Sequence, residues 1–293
     1  MNFRDLWREP GCDVGRSAVV NIVTSRTESA TMPRFAANLA YLFTERPLLD
    51  RFGAAAAAGF KAVELQAPYD HTPAALKAEI DKHGLTQLGI NTFVGSRPGD
   101  SGLGAVPGRE SDWDVVFKQA LDMTVAIGGS AIHCMAGTVP PEQRPAAERT
   151  FIANLTRASD LAKDKNVTLL IEPINPRDRP NYFLTRIEQA ADIIAKAGRP
   201  NIKIQFDFYH VQIVSGDLIT RFEKHLPLIG HVQIAAVPSR AEPDEGEINY
   251  PAVFEALDRL GWSGWTACEY RPRARTEDGL GWGRRYGLGS PPA

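Results

Sequence analysis

Val167-Thr168-Leu169-Leu170-Ile171-Glu172 is an almost unbroken apolar run that ends on a carboxylate. A strand that is apolar at successive positions, not at alternate ones, is covered on both faces, as in a parallel sheet sheathed by helices. Seven comparable runs lie near 34–39, 61–66, 87–91, 130–134, 202–207, 229–234 and 265–269. Segments of helical period separate them, near 46–58, 72–83, 110–127, 144–165, 185–197, 216–225 and 250–260. Gly59, Gly84, Gly128 and Gly261 follow helical patterns, where a left-handed cap favours glycine. Thr72 precedes Pro73, an N-cap followed by a proline at the first helical position. Ala54 to Ala58 reads as the small-residue face of a helix. Eight strands alternating with helices predict a closed (β/α)8 TIM barrel. An open doubly wound sheet usually carries a glycine-rich turn after its first strand, and Asn38-Leu39-Ala40-Tyr41-Leu42-Phe43 has no glycine.

The length of 293 residues suits one such barrel, which takes roughly 250 residues, with tails. Residues 1–31 read as a poorly ordered N-terminal extension, residues 32–283 as the single barrel domain, and residues 284–293 as a C-terminal tail. Acidic residues and Asn21 interrupt the extension, so it lacks the apolar core of a secretory signal. No apolar run is long enough to span a membrane. A net charge of −2 gives no electrostatic footprint for nucleic acid. Cys12, Cys134 and Cys268 are odd in number and widely spaced, which argues against a disulfide framework or a cysteine zinc site and for a reducing cytoplasm.

The active site of a barrel lies at the carboxyl ends of its strands. Here those ends carry Glu64 and Gln66, Asn91, His133, Glu172, Asp207 with His210, His231 with Gln233, and Glu269. Barrel closure brings such residues together. Glu172, Asp207 and Glu269 would repel one another without a cation. With Gln233 they form an all-oxygen set suited to a hard divalent ion, Mg²⁺ or Mn²⁺, better than to zinc. Each residue alone could be a strand-end cap; four together are harder to read that way. His210 and His133 are candidates to bind substrate, while His231 reads as structural and His71, His83 and His225 as surface residues.

At these residues the sequence resembles the hydroxypyruvate isomerase family, which includes 2-oxo-tetronate isomerase, among the xylose-isomerase-like TIM barrels. The resemblance rests on Ile171-Glu172-Pro173-Ile174-Asn175, Gln205-Phe206-Asp207-Phe208-Tyr209-His210, Val232-Gln233-Ile234-Ala235, Glu247-Ile248-Asn249-Tyr250, Cys268-Glu269-Tyr270-Arg271-Pro272 and Gly279-Leu280-Gly281-Trp282. Met32-Pro33-Arg34-Phe35-Ala36-Ala37-Asn38-Leu39 matches the usual start, so the resemblance spans about residues 32–282. It implies an aldose–ketose isomerisation of a small 2-oxo acid. It places the metal on Glu172, Asp207, Gln233 and Glu269 and the proton donor/acceptor pair on Glu172 and Glu269. Hydroxypyruvate is the first expectation for substrate and a 2-oxo-tetronate the alternative. Residues 171–175 resemble the former group, whereas Ala235-Ala236-Val237-Pro238-Ser239-Arg240-Ala241-Glu242-Pro243 is nearer the latter.

Moving a carbonyl to the next carbon requires a proton to leave one carbon and another to arrive beside it. A carbon acid next to a carbonyl ionises usefully only if the enediolate is stabilised, which a cation does, while carboxylates carry the proton. The substrate's own carboxylate needs a cationic partner. Arg240, after the seventh strand, and Arg271, two residues beyond Glu269, are candidates, unless they pair with Glu242, Asp244 or Glu245. Sugar 3-epimerases are close in chemistry but usually carry histidine at the Gln233 position. AP endonucleases of this barrel class need more strand-end histidines than Asn91 and Gln233 leave room for. A non-catalytic binding module would have no use for the oxygen ring. The sequence leaves a homo-oligomer open.

Overall fold

The computed structural model describes residues 33–289; the N-terminal extension lies outside the described residues. All strand pairings are parallel. The strands are β1 (Arg34–Asn38), β2 (Ala62–Glu64), β3 (Thr86–Gln87), β4 (Gly89–Asn91), β5 (Ala131–His133), β6 (Thr168–Ile171), β7 (Ile202–Asp207), β8 (Ile229–Ile234) and β9 (Trp265–Cys268). In the sheet their order is β3-β2-β1-β9-β8-β7-β6-β5-β4. β3 and β4 are the two halves of one stretch interrupted at Leu88. Leu88 N–H donates to Val63 O (2.9 Å) on one side and Leu88 O accepts from Ala131 N–H (3.1 Å) on the other. The sheet therefore returns on itself as the predicted barrel of eight chain stretches. It is a single domain.

Helices α1 (Leu48–Ala57), α2 (Pro73–Lys82), α3 (Glu110–Ala126), α4 (Arg144–Lys163), α5 (Ile187–Ala197), α6 (Phe208–Val214), α7 (Leu218–His225) and α8 (Tyr250–Arg259) complete the body. Thr72 caps α2 by accepting from Ala75 N–H (3.2 Å), and Gly59, Gly84, Gly128 and Gly261 adopt positive φ after their helices. The sequence pattern contains no sign of α6. Asp207 starts it, its Oδ1 accepting from Tyr209 N–H (2.9 Å). Phe208 anchors it against Phe206 and Phe222, with ring centroids 4.9 and 5.7 Å away. Seven residues opening on Phe-Tyr-His are too few to show a period, so tertiary packing decides their state. His225, expected at the surface, is buried in α7.

The barrel interior is layered by the two-residue period of its strands. At the amino end Ala36, Ala62, Leu88 and Ala267 form a small apolar plug with Trp265 beside it. One step up the interior turns polar, with Asn38 beside Glu64 and Gln205 beside His231 in the sheet register. A further step brings Asp207 beside Gln233.

Residues 284–289, expected as tail, instead belong to the packed body. A 3-10 helix runs from Thr276 to Tyr286. Leu288 is buried, and Gly289 N–H donates to Ala58 O (2.9 Å). Gly59 makes this approach feasible: its φ is +96°, and a Cβ there would stand 2.3 Å from Gly287 O. Gly59→Ala should therefore lower unfolding free energy by about 1–3 kcal/mol, the usual cost of forcing a side chain into such a backbone conformation. Urea unfolding measures it; an unchanged midpoint would mean that the C-terminal segment does not hold this position.

Candidate active site

Three strands and one helix bring the site together. Glu172 follows β6, Asp207 ends β7, Glu269 follows β9, and His210 lies in the first turn of α6. One candidate ligand atom from each of these residues lies within 4.8 Å of the others, and all four residues are buried. Glu172, His210 and Glu269 border a cavity of about 50 Å³, with His133, Gln66, Asn91, Tyr41, Asp178, Arg179 and Arg240 also in its wall.

The three carboxylates differ in how they are held. Glu269 is rich in donors: Oε1 accepts from Gln66 Nε2 (2.6 Å) and Asn38 Nδ2 (3.3 Å), and Oε2 from Arg240 Nη2 (2.8 Å). Asp207 uses Oδ1 on its own helix and leaves Oδ2 without a partner. Glu172 Oε1 also has no hydrogen-bond partner, and its Oε2 lies 3.5 Å from His133 Nδ1. Burial, then the charges of Glu269 and Asp207, push Glu172 well above the usual carboxylate range. Burial and Glu269 push Asp207 up to about 8. Burial raises Glu269 too, against the pull of Arg240. Two unpartnered buried oxygens among three mutually repelling carboxylates are what a hard divalent cation would satisfy, so the residues fit the metal expected from the sequence.

His210 Nδ1 faces Asn175, at 2.7 Å from Nδ2 and 3.3 Å from the backbone nitrogen. Asn175 Oδ1 accepts from Asp178 N–H (2.9 Å), which sets the amide so that Nδ2 points at the imidazole. Two donors on Nδ1 leave the proton on Nε2. That Nε2–H stands between Asp207 Oδ2 (3.6 Å) and Glu172 Oε1 (3.7 Å). In this tautomer His210 is a hydrogen-bond donor into the site and not a metal ligand. Burial, then Arg240 and His133, hold its pKa well below the ordinary value. His133 is neutral as well, lowered to about 3 chiefly by burial.

Gln233 lies in the layer beneath the cavity, bordering a smaller space with Glu64, Gln205 and His231. Its Nε2 donates to Glu64 Oε1 (2.7 Å) and its Oε1 accepts from Gln205 Nε2 (2.7 Å). Glu64 also accepts from Asn38 Nδ2 (2.8 Å), and its Oε2 is 2.6 Å from His231 Nε2. Burial would raise the Glu64 pKa, but His231 and these donors outweigh it and leave it lowered. His231, expected to be structural, thus holds a buried carboxylate inside the barrel.

Arg240 is in the site and Arg271 is not. Arg240 Nη1 donates to Asp178 Oδ2 (3.0 Å) and Nη2 to Glu269. Its guanidinium carbon sits 5.0 Å from the Tyr41 ring centroid and 4.8 Å from that of Tyr209. The acidic neighbours Glu242, Asp244 and Glu245 all pair with Arg273 instead, at 3.0, 2.7 and 2.8 Å. β9 ends at Cys268, so the alternation that would aim Arg271 inward stops before reaching it. Arg271 is exposed and does not line the cavity. Arg179, missed in the sequence because its loop has no period, does line it.

A proton on any of the three carboxylates competes with a cation. Since burial and repulsion raise their pKa values, Mn²⁺ affinity should increase between about pH 6 and about pH 8, and binding should release protons. Calorimetric titration in buffers of different ionisation enthalpy counts them. Affinity that is flat over this range would contradict the charge state deduced for Glu172, Asp207 and Glu269.

Residues 52–286 match the family described as xylose isomerase-like TIM barrel. The chain is 49% identical to a 2-oxo-tetronate isomerase of Cupriavidus necator over 87% of this chain and 99% of that protein. It is 38% identical to a hydroxypyruvate isomerase of Escherichia coli, over 86% and 98%. Among solved structures, one named AP endonuclease, family 2, from Brucella melitensis superposes with a TM-score of 0.86 at 42% identity, covering 87% of this chain and 100% of that one. The fold, the strand-end carboxylates and these likenesses agree: the chain belongs to the hydroxypyruvate isomerase family, which includes 2-oxo-tetronate isomerase, within the xylose isomerase-like TIM barrels.

Proposed function

We propose that this isomerase moves the carbonyl of a small 2-oxo acid to the adjacent carbon, with a four-carbon 2-oxo-tetronate as the preferred substrate. The observation that carries the reading is a buried triad of carboxylates, two of which, Glu172 and Glu269, line one small cavity with two arginines. The carboxylates suit proton transfer at carbon, and the arginines suit an acidic substrate. The higher identity to the Cupriavidus necator protein supports the four-carbon acid. Hydroxypyruvate is the second reading, supported by residues 171–175 and by the Escherichia coli relative.

Glu172, Asp207 and Glu269, with Gln233 as fourth oxygen donor, would hold Mg²⁺ or Mn²⁺. Bound there, the cation would supply electrostatic stabilisation of the oxyanion that develops as the carbon acid ionises. Glu172 and Glu269 exchange the proton, and their surroundings differentiate them. Glu269 accepts three hydrogen bonds that stabilise its charged form. Glu172 Oε1 has none, which makes Glu172 the stronger base. His210 donates its Nε2–H to the substrate hydroxyl. Arg240 is committed to Glu269 and Asp178 and stacked between two tyrosines, so it fixes Glu269 and borders the substrate. Arg179, exposed at the same cavity, takes the substrate's carboxylate. The Brucella melitensis structure bears an endonuclease name, but a narrow acidic cavity in a chain of charge −2 suits a DNA backbone poorly.

Assays with Mn²⁺ on 2-oxo-tetronates, hydroxypyruvate and neutral ketoses test the substrate class. Preference for neutral ketoses would overturn it. Glu172→Gln should lower kcat by roughly 10²–10⁴, the usual share of general acid–base catalysis, in protein shown to retain its metal. Arg179→Ala should raise KM for 2-oxo acids roughly tenfold or more at nearly constant kcat, since about 1.5–3 kcal/mol attaches to a charge-assisted hydrogen bond. A reduced kcat at unchanged KM would remove Arg179 from that role.

A further inference from the structure

The polar layer beneath the cavity has a direction. Glu64 lies on β2 and reaches across the barrel to β8, where it meets both His231 and Gln233. A carboxylate only accepts, so every group facing it must donate. Gln233 must therefore turn its NH2 down to Glu64, which leaves its Oε1 on the other side of the amide, facing Gln205 Nε2 at 2.7 Å. An amide oxygen has two lone pairs, and this bond uses one. Asn38 is oriented in the same way. Its Oδ1 accepts from Ala40 N–H (3.0 Å), so its NH2 bridges Glu64 (2.8 Å) and Glu269 (3.3 Å). His231 supplies the third donor to Glu64 and sits in the same layer, out of the cavity wall.

We propose that Glu64 is a positioning residue: as an acceptor-only group braced by His231, it sets the orientation of the Gln233 amide, so that the amide presents an oxygen and not an NH2 to a metal ion, and through Asn38 it steadies Glu269. This rests on the reading above that Gln233 is the fourth oxygen donor. A leucine at position 64 would be similar in size but accept nothing from Gln233 or Asn38, so the Gln233 amide would lose the acceptor that fixes its NH2. A glutamine would keep one oxygen for Gln233 and Asn38 and turn its NH2 to a neutral His231, leaving the Gln233 amide as it is. Groups that orient metal ligands from behind typically contribute 10–100-fold in metal affinity.

Mn²⁺ binding to the purified full chain, followed by the electron paramagnetic resonance of the free ion, tests this without an activity readout. Glu64→Leu should weaken binding 10–100-fold while its thermal unfolding remains cooperative. Glu64→Gln, which loses the charge but keeps the acceptor for Gln233 and Asn38, should retain most of the affinity. Undiminished binding by folded Glu64→Leu would overturn the proposal. So would Glu64→Gln binding as weakly as Glu64→Leu, which would assign Glu64 a role in charge alone. Wild-type protein that binds no Mn²⁺ would overturn the metal reading itself.

Discussion

Three carboxylates from three strands share one buried space, and the surrounding design follows from that constraint. Barrel closure brings Glu172, Asp207 and Glu269 within reach of a single ion. In a dry interior such charges strongly oppose one another, and each is held less acidic than it would be in water. Arg240 relieves part of the repulsion by pairing with Glu269, and burial does not free its proton because Glu269, Tyr41 and Asp207 favour the cation. Its backbone sits at φ +57°, uncommon for a residue with a side chain. Its N–H donates to Ala236 O (2.8 Å), and its carbonyl accepts from Arg271 N–H (2.7 Å). The loop after β8 is thus bonded on both sides into the shape that places this guanidinium.

A barrel core is ordinarily filled by branched apolar side chains. Here only the amino end is apolar, and the layers above it hold Asn38, Glu64, Gln205, His231 and Gln233. Burying a carboxylate costs stability unless donors surround it. The Glu64–His231 pair is better understood through what it orients. Stability is supplied outside the sheet, where Phe35 packs edge to face against Phe254 and Trp282 between the barrel and its outer shell, with centroids 5.2 and 5.1 Å away.

Strands and long helices are legible in the sequence because both faces of a barrel strand and one face of a covering helix leave a periodic trace. The carboxylates are legible for a related reason: they end runs whose direction is known. What escapes reading depends on contacts between distant segments. Glu64 and His231 are separated by 167 positions, and nothing local to either names the other. Arg240 finds Asp178 at a separation of 62, while Arg271 fails because the strand that should aim it has already ended. Arg179 sits on a loop shaped by Asn175, whose backbone carbonyl accepts from Arg179 N–H (3.1 Å), and such turns carry no alternation to follow. Helix α6 depends on Phe222, fourteen residues beyond Phe208.

The central claim is that the strand-end carboxylates form one hard-cation site with Gln233 completing it from below. Anomalous diffraction from crystals of the Mn²⁺-loaded protein tests that claim directly. A single manganese peak is expected, enclosed by Glu172, Asp207, Glu269 and the Gln233 amide oxygen, with His210 donating from outside the coordination sphere. A peak coordinated by His210 Nε2, or no peak among the three carboxylates at saturating Mn²⁺, would contradict it.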